Sequence, residues 1–155
     1  MNYLNKVTKF HKTFDVPIVD KPSIPEDDRC ELRINLLQEE LNELKESIKN
    51  KNLVEVADAL CDIQYVLSGT ILEFGLGEKF NELFIEVQRS NMSKSCKSLK
   101  EAIETISHYK KNEGVESYYK KIGHNWVVLR LSDNKVLKSV KYSPVNLKRI
   151  LYKND

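Results

Sequence analysis

The chain has 155 residues, of which 41% are hydrophobic and 31% charged, and its formal net charge is +2. This length and balance predict a globular protein with one hydrophobic core plus an appendage, and they argue against a disordered chain. Its three cysteines have neither the number of a disulfide framework nor the spacing of a zinc site, so we expect Cys61 to lie in the core. The amino terminus has no apolar signal core and no run is long enough to span a membrane, so we expect a cytoplasmic location.

The charge is distributed unevenly along the chain. Residues 1–93 contain 11 Lys and Arg against 17 Asp and Glu, a net charge of −6, whereas residues 94–155 contain 14 against 6, a net charge of +8. We therefore predict a first domain at residues 1–94 and a basic extension at residues 95–155. Because the extension has no DNA or RNA recognition motif, nucleic acid is an unlikely partner, and we favour an oligomer contact or a substrate lid.

Four helices are predicted in the first 94 residues. A helix over residues 3–14 precedes an extended connector with three prolines, and an acidic stretch after Pro25 starts a second helix over about residues 27–49. A third, largely apolar helix is predicted over residues 53–74 and a fourth over residues 78–92. The second helix carries a bundle seam at intervals of three and four residues, formed by Ile34, Leu37, Leu41, Leu44 and Ile48.

The basic extension has a mixed pattern. We predict a helix that starts near Leu99, a hairpin that turns at Ser132 to Asn134, and a short last helix with Ser143 as its N-cap and Pro144 at its first position. The predicted fold class is therefore all-α, a four-helix bundle with a small basic α+β C-terminal extension made of a helix, a hairpin and a short helix.

Acidic residues interrupt the apolar third helix. Glu55, Asp58 and Asp62 lie three and four residues apart, so they share one stripe, and Glu73 extends this stripe. The helix contains no Lys or Arg, so intrahelical ion pairs do not explain these acids. A carboxylate in apolar surroundings is costly unless a cation or several donors compensate its charge.

A second acidic set precedes the first. Glu40 and Glu43 lie on the second helix, and a short turn between two antiparallel helices would bring them to the stripe on the third. Carboxylates without histidine suit Mg²⁺, with Mn²⁺ as a possible substitute, and they exclude a di-iron site of the Glu-x-x-His type. A solvated acidic face is the ordinary alternative, and it applies best to Glu39 and Glu46.

The spacing Glu40-x-x-Glu43, eleven residues, then Glu55-x-x-Asp58 resembles the signature of the MazG-like all-α nucleoside triphosphate pyrophosphohydrolases. This superfamily includes phosphoribosyl-ATP pyrophosphohydrolase and the dimeric dUTPases. The segments that resemble the phosphoribosyl-ATP pyrophosphohydrolase-like branch are KFHKTF, EELNELKE, EVADALCDIQYVLSGT and RSNMSK. NKVLKSVKYSPVNLKRIL is similar to the closing segment of longer members, whereas residues 95–133 match no pattern of the family.

The resemblance implies hydrolysis between the α and β phosphates of a nucleoside triphosphate, releasing a monophosphate and pyrophosphate with Mg²⁺ as cofactor. It implies metal ligands at Glu40, Glu43, Glu55 and Asp58, and the stripe adds Asp62. Glu39 and Glu40 are the candidates for the catalytic base.

Other roles follow the same resemblance. Arg89, Asn91 and Lys94 would contact phosphate oxygens, since they follow the fourth helix in QRSNMSK. A pocket for the base would contain His11, Phe14 and Tyr65.

The same interpretation includes a substrate class and an oligomeric state. We expect removal of dUTP or another deoxynucleoside triphosphate from the nucleotide pool, by a homodimer or larger homo-oligomer. Two alternatives remain open: a phosphoribosyl-ATP pyrophosphohydrolase, and a non-enzymatic helical module with a metal-stabilised core and a basic tail that binds nucleic acid.

Overall fold

The computed structural model describes residues 3–152 as two compact units that divide between Phe80 and Asn81. The first unit contains the helices α1 (Tyr3–Thr13), α2 (Asp27–Lys49) and α3 (Leu53–Glu73). The second contains α4 (Phe80–Met92), α5 (Leu99–Glu113), β1 (Ser117–Ile122), β2 (Asn125–Arg130) and α6 (Lys148–Leu151).

The predicted helical character is confirmed, since helices make up most of the regular structure. The grouping of four helices into one bundle stays a prediction, because α4 belongs to the second unit. The predicted domain boundary at residues 94 and 95 also stays a prediction. Between residues 3 and 152, no helix combines the length and the apolar character needed to cross a bilayer.

The connector after α1 is fixed to the end of α3. The backbone N–H of Val19 donates to the carbonyl of Leu72 at 3.0 Å, and that of Ser23 donates to the carbonyl of Phe74 at 3.1 Å. Gly75 ends this region with a φ of 65°, where an added Cβ would collide with the Lys21 carbonyl. Glycine therefore fits the left-handed conformation that closes α3.

A tight turn joins α2 to α3 and makes them antiparallel neighbours. Asn52 is the N-cap of α3, where its Oδ1 accepts hydrogen bonds from the backbone N–H groups of Val54 at 3.1 Å and Glu55 at 3.4 Å. This capping satisfies donors that the first turn of a helix leaves free. The two long helices consequently run back along each other from this turn.

A buried ion pair joins α2 to α3 at the end far from the turn. Glu73 is only 1% exposed, and its carboxylate accepts hydrogen bonds from Arg29 Nη2 at 2.5 Å, from Arg29 Nε at 3.2 Å and from Arg33 Nη2. Burial alone would raise the pKa of Glu73, but the bonds from Arg33 and Arg29 outweigh it and the pKa is lowered. Glu73 therefore binds two arginines, and the prediction that it extends the acidic stripe is wrong.

Apolar residues remain exposed on the first unit. On α2, the predicted seam residues Ile34, Leu41 and Ile48 are 66%, 49% and 59% exposed. On α3, Cys61 is exposed, so the prediction that it lies in the core is wrong. The reason is that α3 is apolar around most of its circumference. The helices that pack against it cover only part of this apolar surface.

The second unit is built on an antiparallel hairpin. β1 pairs with β2 from Ser117 opposite Arg130 to Ile122 opposite Asn125, and Gly123 turns the chain with a φ of 57°. Its core consists of Cys96, Ala102, Val128 and Leu137. The predicted turn at Ser132 to Asn134 exists, but it joins β2 only to a short bridge between Leu129 and Val136.

The segment after this core binds α4. Arg89 Nη1 donates to Ser143 Oγ and its Nη2 donates to the Pro144 carbonyl, both at 2.9 Å. Ser90 Oγ donates to the Ser143 carbonyl at 3.0 Å. Ser143 and Pro144 therefore form hydrogen bonds with α4 and do not start a helix. α6 starts later, at Lys148, so the predicted helix start at Ser143 is wrong.

Glu73→Gln tests the buried ion pair. We expect it to lower the free energy of unfolding by about 3–5 kcal/mol near neutral pH, because two arginines lose a buried counter-charge. The folded-state pKa of Glu73 lies below its usual 4.5, so the stabilisation is present above that value and is lost as pH falls through the folded-state pKa. Urea unfolding at about pH 7 and about pH 3 should show a difference between the two proteins that narrows in acid.

The matched control is Glu46→Gln. Glu46 is exposed and lies 3.5 Å from Lys49, so its loss should change the free energy of unfolding by less than about 0.5 kcal/mol. A difference between wild type and Glu73→Gln that is the same at both pH values would contradict the assignment.

Candidate active site

Glu40 of α2 and four carboxylates of α2 and α3 that lie within electrostatic reach of it form an acid cluster. Glu40 is half-buried, and its pKa is raised above 4.5, first by burial and then by the negative charges of Asp62, Glu43, Glu39 and Asp58. Such charges act on Glu40 only from nearby positions. Asp58 and Asp62 of the set on α3 thus lie within electrostatic reach of Glu40 on α2, and the joint use of the two sets as a site stays a prediction.

The helical repeat explains this meeting. Asp58 and Asp62 are four residues apart on α3, and Glu40 and Glu43 are three apart on α2, so each pair lies on one helical face. Glu55 lies one turn closer to the start of α3, is exposed, and is not among the groups that raise the pKa of Glu40.

The fit of this cluster to a metal ion rests on charge and chemistry. In the part of the chain that the structure describes, no three Asp, Glu, His or Cys side chains are arranged to surround one ion. An all-oxygen set fits Mg²⁺ or Mn²⁺ in charge and donor type. Metal binding and the ligand roles stay predictions.

An open cavity of about 360 Å³ is lined by residues of α1, the connector after it, α2 and α3. Leu36 and Val66, which line it, are each four residues from an acid of the cluster, Glu40 on α2 and Asp62 on α3. Four residues are about one helical turn, so cavity and acids are adjacent. This volume is at the small end of ligand pockets.

The outer part of the cavity is aromatic. Phe10 and Tyr65 are both exposed, and their rings meet edge to face with centroids 5.5 Å apart. This pair offers flat apolar surface to a planar ligand.

The inner part of the cavity is polar. His11 is 2% exposed and Arg33 is 7% exposed, and both line it together with Arg29. The side chains of His11 and Arg33 lie against the α3 backbone at Gly69. A Cβ added to Gly69 would lie 2.9 Å from His11 Nε2 and 3.0 Å from Arg33 Nη1. Gly69 therefore makes room for this polar floor.

Two of the three residues predicted to form a base pocket line the cavity. His11 and Tyr65 line the cavity, whereas Phe14 is exposed and is not among the lining residues found within 3–152. The sequence interpretation missed Arg29 and Arg33. A signal for them was available, since Arg29, Arg33, Leu36 and Glu40 recur on one face of α2 at intervals of four, three and four.

The residues predicted to contact phosphate lie in the second unit. Arg89 forms a bidentate ion pair with Glu86, and its Nε donates to Oε2 at 2.7 Å. The hydrogen bonds that Glu86 accepts from Arg89 and from the Asn146 backbone N–H lower the pKa of Glu86 to about 2. Lys94 Nζ donates to Asn91 Oδ1 at 2.7 Å. All three thus have partners within their own unit, and their contact with phosphate stays a prediction.

The chain is similar to known proteins over more than half of its length. A family model described as phosphoribosyl-ATP pyrophosphohydrolase matches residues 7–91, more than half of the chain and all of α2 and α3. The chain therefore belongs to the phosphoribosyl-ATP pyrophosphohydrolase family, within the MazG-like all-α nucleoside triphosphate pyrophosphohydrolases.

A curated relative extends the comparison beyond this interval. The chain is 32% identical over 126 residues to a protein of Acanthamoeba polyphaga mimivirus described as "Uncharacterized protein L479". The match covers 76% of this chain and 48% of that protein, so the chain spans about half the length of this relative.

Asp62→Asn tests the repulsion within the cluster. In metal-free buffer of low salt, we expect the free energy of unfolding to rise by about 0.5 kcal/mol, because Glu40 loses a nearby like charge. Urea unfolding in EDTA measures this change. Glu31→Gln, an exposed position on α2 outside the cluster, is the control. A loss of stability in Asp62→Asn that exceeds the loss in this control would contradict the electrostatic interpretation.

Proposed function

We propose that this protein is a Mg²⁺-dependent pyrophosphohydrolase that cleaves nucleoside triphosphates between the α and β phosphates and releases a (deoxy)nucleoside monophosphate and pyrophosphate. The observation that carries this proposal is the acid cluster next to a cavity with an aromatic mouth. The cluster suits a cation that accompanies a polyphosphate, and the cavity suits a planar base. Family membership supports a pyrophosphohydrolase activity in general.

In this proposal Glu40, Glu43, Asp58 and Asp62 hold the cation, with Glu55 as a further ligand one turn away. A Mg²⁺ ion held there would neutralise charge on the phosphates and polarise the bond that breaks. The residues themselves fix the reaction centre, because each acid projects from one of two long helices that are joined at both ends. Rigid placement of this kind lowers the entropic part of the barrier.

A carboxylate that is not fully occupied as a ligand accepts the proton of the attacking water. Glu40 is one candidate, because its carboxylate is half-buried among the other acids of the cluster. Glu39 is the other, because it lies next to Glu40 in sequence, is exposed and contributes to the same local charge.

The proposed substrates are deoxynucleoside triphosphates, dUTP among them, and the proposed role is removal of unwanted nucleotides from the pool. A cavity of about 360 Å³ suits a base and part of its sugar. Phosphoribosyl-ATP is the second candidate substrate, and the description of the matching family favours it.

We also propose that two copies of the chain pair through the exposed stripe of α2. Ile34, Leu41 and Ile48 are spaced seven residues apart and point to one side, as the seam residues of paired helices do. Covering them removes apolar surface from water, which is the main driving force of association.

The activity is tested by incubating the protein with Mg²⁺ and each ribo- and deoxynucleoside triphosphate, and with phosphoribosyl-ATP, and separating the products by HPLC. We expect a monophosphate and pyrophosphate from deoxynucleoside triphosphates. Glu43→Gln and Asp58→Asn should lower kcat by about a hundredfold or more, because each removes a charge from the cluster.

Glu46→Gln is the control for these variants. It lies on α2 three residues from Glu43 and pairs with Lys49 outside the cluster, so it should retain wild-type activity. Turnover of phosphoribosyl-ATP alone would select the second candidate. Absence of turnover with all substrates would contradict an enzymatic function and favour a helical module, which salt-dependent binding to duplex DNA would then support.

The pairing is tested by light scattering on a sizing column. Wild type should elute with the mass of a dimer or larger oligomer, and the double change Ile34→Gln with Leu41→Gln should shift it to the monomer. Ile24→Gln is the control, since Ile24 is a singly exposed residue of the connector. A monomeric wild type at micromolar concentration would contradict the proposed dimer.

A further inference from the structure

The hairpin of the second unit carries two aromatic rings and a lysine on one face. Lys121 of β1 lies opposite Trp126 of β2, and Tyr119 is two residues earlier in β1, so the three side chains point to the same side of the sheet. The rings of Tyr119 and Trp126 meet edge to face with centroids 5.3 Å apart, and Lys121 Nζ lies 5.6 Å from the centroid of Trp126. A positive charge is therefore held next to two rings.

The core of the second unit fixes the position of these rings. Trp126 is half-buried and packs against this core, and its backbone N–H and carbonyl form hydrogen bonds with Cys96 at 2.9 Å and 2.8 Å. Tyr119 lies beside it and is 42% exposed. Aromatic side chains that are already ordered lose little conformational freedom when a ligand stacks on them. The pair therefore offers flat apolar surface to solvent at a small entropic cost of binding.

Two more lysines lie close to the turn of the hairpin, on its other face. Lys120 is exposed and precedes Lys121 in β1, which is the outer strand of the two-stranded sheet. Lys97 Nζ donates to Asn125 Oδ1 at 3.1 Å, at the start of β2. In the part of the chain that the structure describes, Lys97, Lys120 and Lys121 form no ion pair with an acid. Their charges are therefore available to an anionic partner.

The acids that flank the hairpin have partners of their own. No Asp or Glu lies between Glu116 and Asp133 in the sequence. Glu116 pairs with Lys110 at 3.2 Å and Asp133 pairs with Arg130 at 2.6 Å, both at the end of the hairpin far from its turn. The turn end of the hairpin is consequently positive.

A surface that combines lysines with exposed rings suits single-stranded nucleic acid. Lysines attract the phosphates, and aromatic rings stack on bases that are unpaired. Binding of this kind does not depend on the base sequence, so it requires no recognition motif. A duplex keeps the faces of its bases stacked inside the helix, and an acidic polypeptide has no bases to stack. The rings therefore favour a single strand over these other polyanions.

We propose that a patch at the turn end of the hairpin binds single-stranded nucleic acid. This hairpin patch consists of Lys97, Tyr119, Lys120, Lys121 and Trp126. A base stacks on Tyr119 beside Trp126, and the lysines contact the phosphates on either side of the outer strand β1. The net charge of +8 on residues 94–155 adds long-range attraction for the strand. This binding goes beyond the proposed hydrolysis and uses only residues of the second unit.

Binding is measured by the fluorescence anisotropy of a labelled oligothymidylate of about 20 nucleotides, titrated with the full chain in EDTA. We expect saturable binding that weakens as salt is added, with a slope of log affinity against log salt of about −0.7 for each phosphate contact. The solution contains neither Mg²⁺ nor a triphosphate, so the result does not depend on the proposed hydrolysis.

Tyr119→Leu tests the stacking contact. Leucine retains apolar contact with Trp126 but has no flat ring, so the affinity should fall about tenfold while the salt slope stays the same. The matched control is Tyr152→Leu, because Tyr152 is 75% exposed in the same unit and lies outside the hairpin patch. The control should retain the wild-type affinity.

The double change Lys120→Gln with Lys121→Gln tests the phosphate contacts. It should reduce the magnitude of the salt slope by about 1.4, since two contacts are lost. The matched control is Lys110→Gln with Lys111→Gln, which removes the same charge from the end of α5, where Lys110 already pairs with Glu116. The control should retain the wild-type slope.

The outcomes separate a single strand from other anionic partners. Absence of saturable binding at low salt, or an affinity that Tyr119→Leu leaves unchanged, would overturn the proposal. Equal or tighter binding of a DNA duplex with the same number of phosphates would also overturn it, because a duplex does not expose the faces of its bases. Equal or tighter binding of polyglutamate would overturn it in favour of an acidic protein surface.

Discussion

The geometry of the first unit depends on the ion pairs that the Glu73 carboxylate forms with two arginines of α2. The carboxylate is buried between Arg29 and Arg33, which lie one turn apart on α2. These two contacts fix the register of α2 against α3. At the other end the Asn52 cap fixes where α3 begins. With both ends set, Asp62 of α3 lies close enough to Glu40 of α2 to raise its pKa. A shift of one turn in this register would separate the acids.

The acids and the ion pair have opposite effects on stability. Glu40 and its neighbours repel one another, whereas the bonds to Glu73 more than offset the burial of its charge. The cavity lies between these two regions, with a cationic floor toward Glu73 and carboxylates one turn away in the other direction. In the proposed function, a cation at the acids would join them to the phosphates of a nucleotide bound next to the cavity.

Much of the first unit was predictable from the sequence, because its signals are local. The predicted bounds of α2, residues 27–49, match the structure, since an acidic start and a regular apolar repeat define them. The partners of Glu73 were not predictable in this way, because they lie 40 and 44 residues away in the chain. β1 was missed, since its sequence SYYKKI lacks an apolar alternation, and its strand form depends on pairing with β2.

The central claim is that the register of α2 and α3 creates a binding site for a divalent cation. The most direct test is electron paramagnetic resonance of Mn²⁺ titrated with the protein in the absence of nucleotide, since bound Mn²⁺ loses the sharp signal of the free ion. The signal should decrease with wild type and with Glu46→Gln, and it should persist with Glu43→Gln. An undiminished signal with wild type, or equal binding by Glu43→Gln, would contradict the claim.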